Sequence, residues 1–156
     1  MTDHLMTYSA ETIRPYLSGR IGEQVLGKGF SFIETPADLA AELARSDADF
    51  VLFGIEEDIG VMANHGRPGA DKAWQATLRR LVNVQQNPDN AMAKTILLGH
   101  LDFSDIMKKV HGDKNFKPED LHPYVQQIDN VVAQLAEIIV ASGKVPVAIG
   151  GGHNNA

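Results

Sequence analysis

Val145-Pro-Val-Ala-Ile-Gly-Gly-Gly-His-Asn-Asn155 joins an apolar run of β-forming residues to three glycines and a histidine. A run that is apolar on both alternating faces expects cover on both, as do the strands of a parallel sheet. Such sheets hold their ligands outside the carboxyl ends of the strands, so His153 falls where an imidazole serves chemistry. Metal binding is the expected use. One His is only part of a catalytic metal site, which needs about three protein ligands for zinc and more for a two-metal centre. The sequence supplies no helix after this strand, which predicts a domain that is incomplete beyond its third core strand.

Asp49-Phe-Val-Leu-Phe-Gly54 and Thr95-Ile-Leu-Leu-Gly99 are two further short apolar runs, the first and second buried strands. Between them Trp74, Leu78, Leu81 and Val82 recur at helical spacing from Asp71, ending before Asn87-Pro88. A short helix over Ser104–Val110 and a long amphipathic one over Leu121–Ile139 lead to the third strand, Val145–Ile149. Ser142-Gly143 terminates the long helix. Upstream, Thr35 as N-cap, Pro36 at the first helical position and Asp38 in the first turn start a helix that runs to about Arg45. Residues 1–34, with few periodic apolar positions, read as an irregular arm ending in a short strand around Phe30–Ile33. Residues 35–156 thus form a βαβαβ core, and the predicted fold class is α/β: a single three-layer sandwich with a mostly parallel central sheet.

The balance of 14 basic against 20 acidic residues, a net charge of −6, speaks against nucleic acid or an anionic membrane surface as partner. No run approaches the roughly 20 apolar residues of a membrane span, and Met1-Thr-Asp-His-Leu-Met-Thr7 lacks the regions of a signal peptide, so the expected location is the cytoplasm. The sequence has no cysteine, which leaves His and carboxylates to bind any metal.

Glu56 to Ala70 reads as a long polar loop with three glycines and a proline, and loops of that kind usually serve function. It lies within Gly54-Ile-Glu-Glu-Asp-Ile-Gly-Val-Met-Ala-Asn-His-Gly-Arg-Pro-Gly-Ala70, which continues the first strand. Together with the Gly-Gly-Gly-His of the third strand, this loop resembles the N-terminal half of the arginase/ureohydrolase family. Its Glu-Asp-Ile-Gly-Val and Gly-Arg-Pro-Gly-Ala wording is most similar to the formimidoylglutamase branch. The resemblance begins at Asp49. It implies an arginase-like sandwich and a two-manganese centre whose hydroxide attacks a guanidinium- or formimidoyl-type carbon. It makes His153 the first metal ligand. The remaining ligands of the family lie in an Asp-x-His-x-Asp motif and a later Asp-x-Asp motif, and neither is assigned in this chain. Catalysis is therefore expected of a more complete protein, with a small amidine as substrate and a homo-oligomer as its form.

Other residues carry open alternatives. Glu56, Glu57 and Asp58 either bind a cation or amidine group or sit in a solvated loop, capping backbone donors. Asn64 and Arg67 are candidate substrate contacts, Arg67 as a carboxylate clamp, with structural pinning of the loop as the rival role. His100 and Asp102 imitate part of a metal motif and are expected to be strand-end and helix-cap residues. His4, His111 and His122 are expected in solvent, and Trp74 in the core. The competing function is a non-catalytic α/β module that holds a small anion in its glycine-rich turns.

Overall fold

The computed structural model describes residues 4–18, 22, 24–90, 94–113 and 115–155. In chain order its elements are β1 (Leu5–Thr7), α1 (Ala10–Ile13), α2 (Leu39–Arg45), β2 (Phe50–Glu56), α3 (Ile59–Ala63), α4 (Ala73–Leu81), β3 (Thr95–Asp102), α5 (Ser104–Gly112), α6 (His122–Ala141) and β4 (Val145–Gly150). The strands form one sheet in the order β1-β3-β2-β4. β2 lies parallel to β3 on one side and to β4 on the other, while β1 closes the far side of β3 antiparallel.

Alternation along β2 and β3 sends side chains into two apolar layers. Val51, Phe53, Ile55, Leu98 and Leu101 pack with Leu39 and Leu43 of α2, Ile106 and Val110 of α5, and Ile128, Leu135 and Ile139 of α6. On the opposite face Leu52 and Leu97 meet Trp74 and Leu78 of α4, together with Tyr8, Ile13 and Phe30. Each fully buried Leu or Ile contributes about 1.5–3 kcal/mol, so both layers are needed to hold the sheet. The result is the three-layer α/β sandwich with a mostly parallel sheet that the alternation of elements predicts.

Two glycines inside strands are explained by close approach. A Cβ on Gly54 would collide with the Trp74 indole, whose Nε1–H donates to the Tyr8 hydroxyl at 3.1 Å. At Gly99 the ladder slips, Leu52 pairing with Leu97 and Phe53 with Gly99, so that Leu98 is the extra residue of a β-bulge. Gly99 takes φ +134°, and the Met6 carbonyl of β1 lies where its Cβ would be.

The structure corrects several local expectations. The N-terminal arm is not wholly irregular: Leu5–Thr7 adds a strand, and Ile13 and Phe30 are core residues. Around Phe30–Ile33 only an isolated bridge forms, Ser31 to Ile96, instead of a strand. Pro36 does open the helical segment, as a 3-10 turn ahead of α2, but Thr35 makes no side-chain cap. The Glu42 carboxylate takes over, accepting the N–H groups of Glu34 at 2.8 Å and Thr35 at 2.6 Å. Those bonds, Glu34's first, hold the Glu42 carboxyl below its usual value. The loop after β2 has structure of its own in α3.

Candidate functional site at the carboxyl ends of the parallel strands

β2 and β4 run in register up to Ile55 opposite Gly150, so the Glu57 loop and the glycine turn emerge side by side. Gly150 and Gly151 turn the chain with φ of +99° and +75°, values that suit glycine. His153 follows at the start of a 3-10 turn, exposed and with no hydrogen bond of its own among the described residues. Its neighbours are held. The Gly152 N–H and the Asn155 Nδ2 both donate to Glu57 Oε1, the latter at 2.8 Å, and Asn154 Nδ2 donates to Asp129 of α6 at 2.6 Å.

Glu57 and Asp58 are 0% and 1% exposed, so of the solvated, donor-capping alternative the solvation fails while the capping holds. Of the two roles open to this cluster, capping backbone donors is the one both residues fill. Glu57 Oε2 also accepts the Gly60 N–H at 2.9 Å, in the first turn of α3. Asp58 points the other way, accepting the Gly69 N–H at 2.8 Å and the His111 Nε2–H at 2.9 Å. His111 is exposed, as expected, and is in addition a partner of a buried carboxylate. His4 departs from expectation: its Nδ1–H donates to the Asp102 carbonyl at 2.9 Å, and its ring lies 4.9 Å from that of Phe103. His122 is exposed, as expected. Asp102 caps α5, accepting the Ser104 N–H at 2.8 Å, and His100 lies within β3 with Nε2 3.6 Å from Glu56.

α3 ends in a Schellman arrangement. His65 N–H bonds to the Met62 carbonyl at 3.0 Å and Gly66 N–H to the Val61 carbonyl at 2.8 Å, with His65 in the left-handed region at φ 57°. This turn carries Asn64 to the edge of a cleft of about 330 Å³ that it shares with Gly60, Val61, Gly66, His153 and Asn154. Arg67 is not among the lining residues; it is exposed, two residues before Gly69. Among the described residues neither side chain pins the loop, a task that falls to Glu57, Asp58 and the helix end. A second cleft of about 250 Å³ lies on the other side of His153, between Ile55, Ala148 and the glycines. A larger trough of about 440 Å³ lies away from His153, its apolar wall formed by Phe50, Leu52, Leu81, Val147 and Ile149 beside the polar Asp89, Asn90, Lys94 and Thr95.

The imidazole of His153, free of internal partners, suits one position of a metal site. The carboxylates that hold its turn, Glu57 and Asp129, are committed to backbone and asparagine donors. No group of three His, Cys, Asp or Glu side chains stands ready to hold a metal among the described residues. These residues provide one ligand position and not a centre. The Gly152 N–H that a bound anion would want is already given to Glu57. No helix among the described residues is long and apolar enough to cross a membrane.

The α/β sandwich thus sets a glycine-rich turn and an exposed His153 at the carboxyl ends of its parallel strands. Residues 48–156 match the model of the Arginase family, and the chain belongs to that family, one of metal-dependent, ureohydrolase-type hydrolases. No curated protein and no solved structure matches the chain.

Proposed function

We propose that this chain provides part of a manganese-dependent, cytoplasmic hydrolase of linear amidines, with formimidoylglutamate, an intermediate of histidine degradation, as substrate. The observation that carries the reading is His153, an unpartnered imidazole beyond a parallel strand, on a turn whose other members are tied down. Manganese accepts imidazole and carboxylate ligands, and a pair of such ions lowers the pKa of water and stabilises developing negative charge. Water adds to the amidine carbon, the bond from that carbon to the glutamate nitrogen breaks, and formamide and glutamate are released. Asn64, which shares a cleft with His153, contacts the substrate, and Arg67 clamps its carboxylate by a two-pronged hydrogen bond. The other metal ligands come from outside the described residues. The wording of residues 57–61 and 66–70 supports formimidoylglutamate over arginine or agmatine. The protein works as a homo-oligomer.

The test is hydrolysis of N-formimidoyl-L-glutamate, arginine and agmatine with manganese chloride, by this chain and by the protein with its full ligand set. The chain alone is expected to show no sustained turnover, because one imidazole leaves the ion mostly to water. The completed protein is expected to prefer the formimidoyl substrate. Turnover by the purified chain would reveal a site within it, and a preference for arginine would reject the proposed substrate.

A further inference from the structure

We infer that Glu57 is the positioning residue for His153. The inference rests on the reading of His153 as a metal ligand. Glu57 is fully buried, and among the described residues no cation pairs with it. A buried carboxylate without a counter-ion is retained only when hydrogen bonds replace its lost water. Here three donors do so: Gly60 N–H, Gly152 N–H and Asn155 Nδ2. Two of them flank His153, so one carboxylate holds the turn on both sides of the imidazole and ties it to the first turn of α3.

The glycines make this approach possible. A Cβ on Gly151 would stand 2.9 Å from Glu57 Oε1 and 2.5 Å from Asn155 Nδ2. One on Gly152 would stand 3.1 Å from both Gly60 Cα and Val61 N. Gly151 and Gly152 are therefore small because a carboxylate and a helix end press against them, and Gly150 because the Ile55 carbonyl of β2 does. Glu57 does not itself compete for the metal, since both of its oxygens are engaged and neither reaches solvent.

Nuclear magnetic resonance on the full chain tests this with Glu57→Gln, Asn155→Ala and, as a core control, Val132→Ala. Glu57→Gln keeps the volume and removes the charge. It is expected to move the Gly152 amide resonance upfield, to abolish cross-peaks from the His153 ring to residues 60–64, and to leave core resonances in place. Asn155→Ala, which leaves the carboxylate intact, should do the same in part and decides the matter if Glu57→Gln does not fold. Val132→Ala should lower the melting temperature without moving His153. In a manganese chloride titration followed by broadening of the His153 ring, Glu57→Gln should need more metal than the unaltered chain for the same broadening. Unchanged His153 and Gly152 resonances in both turn variants would overturn the inference. Absence of broadening in the unaltered chain would instead count against the metal reading, while the His153 shifts still decide the role of Glu57.

Discussion

The two flanks of the sheet are finished in opposite ways. On one side β1 closes β3, and Leu97, Leu98 and Leu101 are fully buried. On the other, β4 pairs only with β2 among the described strands, and Phe50, Val145 and Val147 remain 44%, 52% and 37% exposed. Yet the turn that leaves the poorly covered strand is held by hydrogen bonds to Glu57 and Asp129. Order at the closed flank comes from apolar burial; order at the glycine turn comes from one buried carboxylate, Glu57. A ligand position can thus be fixed on a strand that contributes little to the core.

Core substitutions should separate the flanks most strongly. Leu98→Ala is expected to cost about 2–5 kcal/mol and Val145→Ala to stay within about 0.5 kcal/mol, read by chemical denaturation. Equal costs would mean that the β4 flank is covered as well. The same contrast bears on association. We propose that the exposed apolar residues of β2 and β4 make the chain self-associate, because an open apolar edge and face seek a partner. Sedimentation velocity should show species that grow with concentration and a monomer once Val145 and Val147 are both replaced by Lys. A monomer at all concentrations without those changes would contradict it.

A smaller effect is expected in the loop between the flanks. His65 holds a left-handed conformation at some steric cost, and His65→Gly should stabilise the chain by up to about 1 kcal/mol. A loss of stability would show that the His65 side chain contributes contacts that outweigh the strain. The smallest effect belongs to the closed flank. Burial first of all raises the pKa of the Tyr8 hydroxyl above its ordinary 10.0. Above pH 10.0 the folded chain therefore keeps a proton that the unfolded chain loses, and stability falls as pH rises through the folded value. The difference in stability between the unaltered chain and Tyr8→Phe should be constant below pH 10 and shrink above it. A constant difference up to pH 12 would place the hydroxyl in solvent-like surroundings.

The parallel strands, the long helix and the place of His153 were legible because they depend on periodicity and on glycines after an apolar run. β1 was not, since Leu5-Met-Thr7 is too short to show a period and its pairing with β3 is nearly a hundred residues distant. The burial of Glu57 and Asp58 was hidden for a different reason. Consecutive acids beside glycines look the same in sequence whether they face water or backbone amides, and only the fold brings Gly152 to Glu57. The signal available was the spacing, an acid three residues before Gly60 at a strand end opposite a second glycine turn. The C-terminal cap at His65 was concealed because a left-handed residue is expected to be glycine or asparagine, and Asn64 and Gly66 on either side are the more obvious candidates.

The account stands most directly on what His153 does. The decisive measurement is metal content, amidine hydrolysis and melting temperature, taken side by side for the complete protein and its His153→Ala variant. The prediction is activity lower by orders of magnitude and reduced occupancy of one metal, with a nearly unchanged melting temperature, since an exposed loop imidazole supports little packing. Full activity with normal metal content in His153→Ala would contradict it and remove His153 from the site.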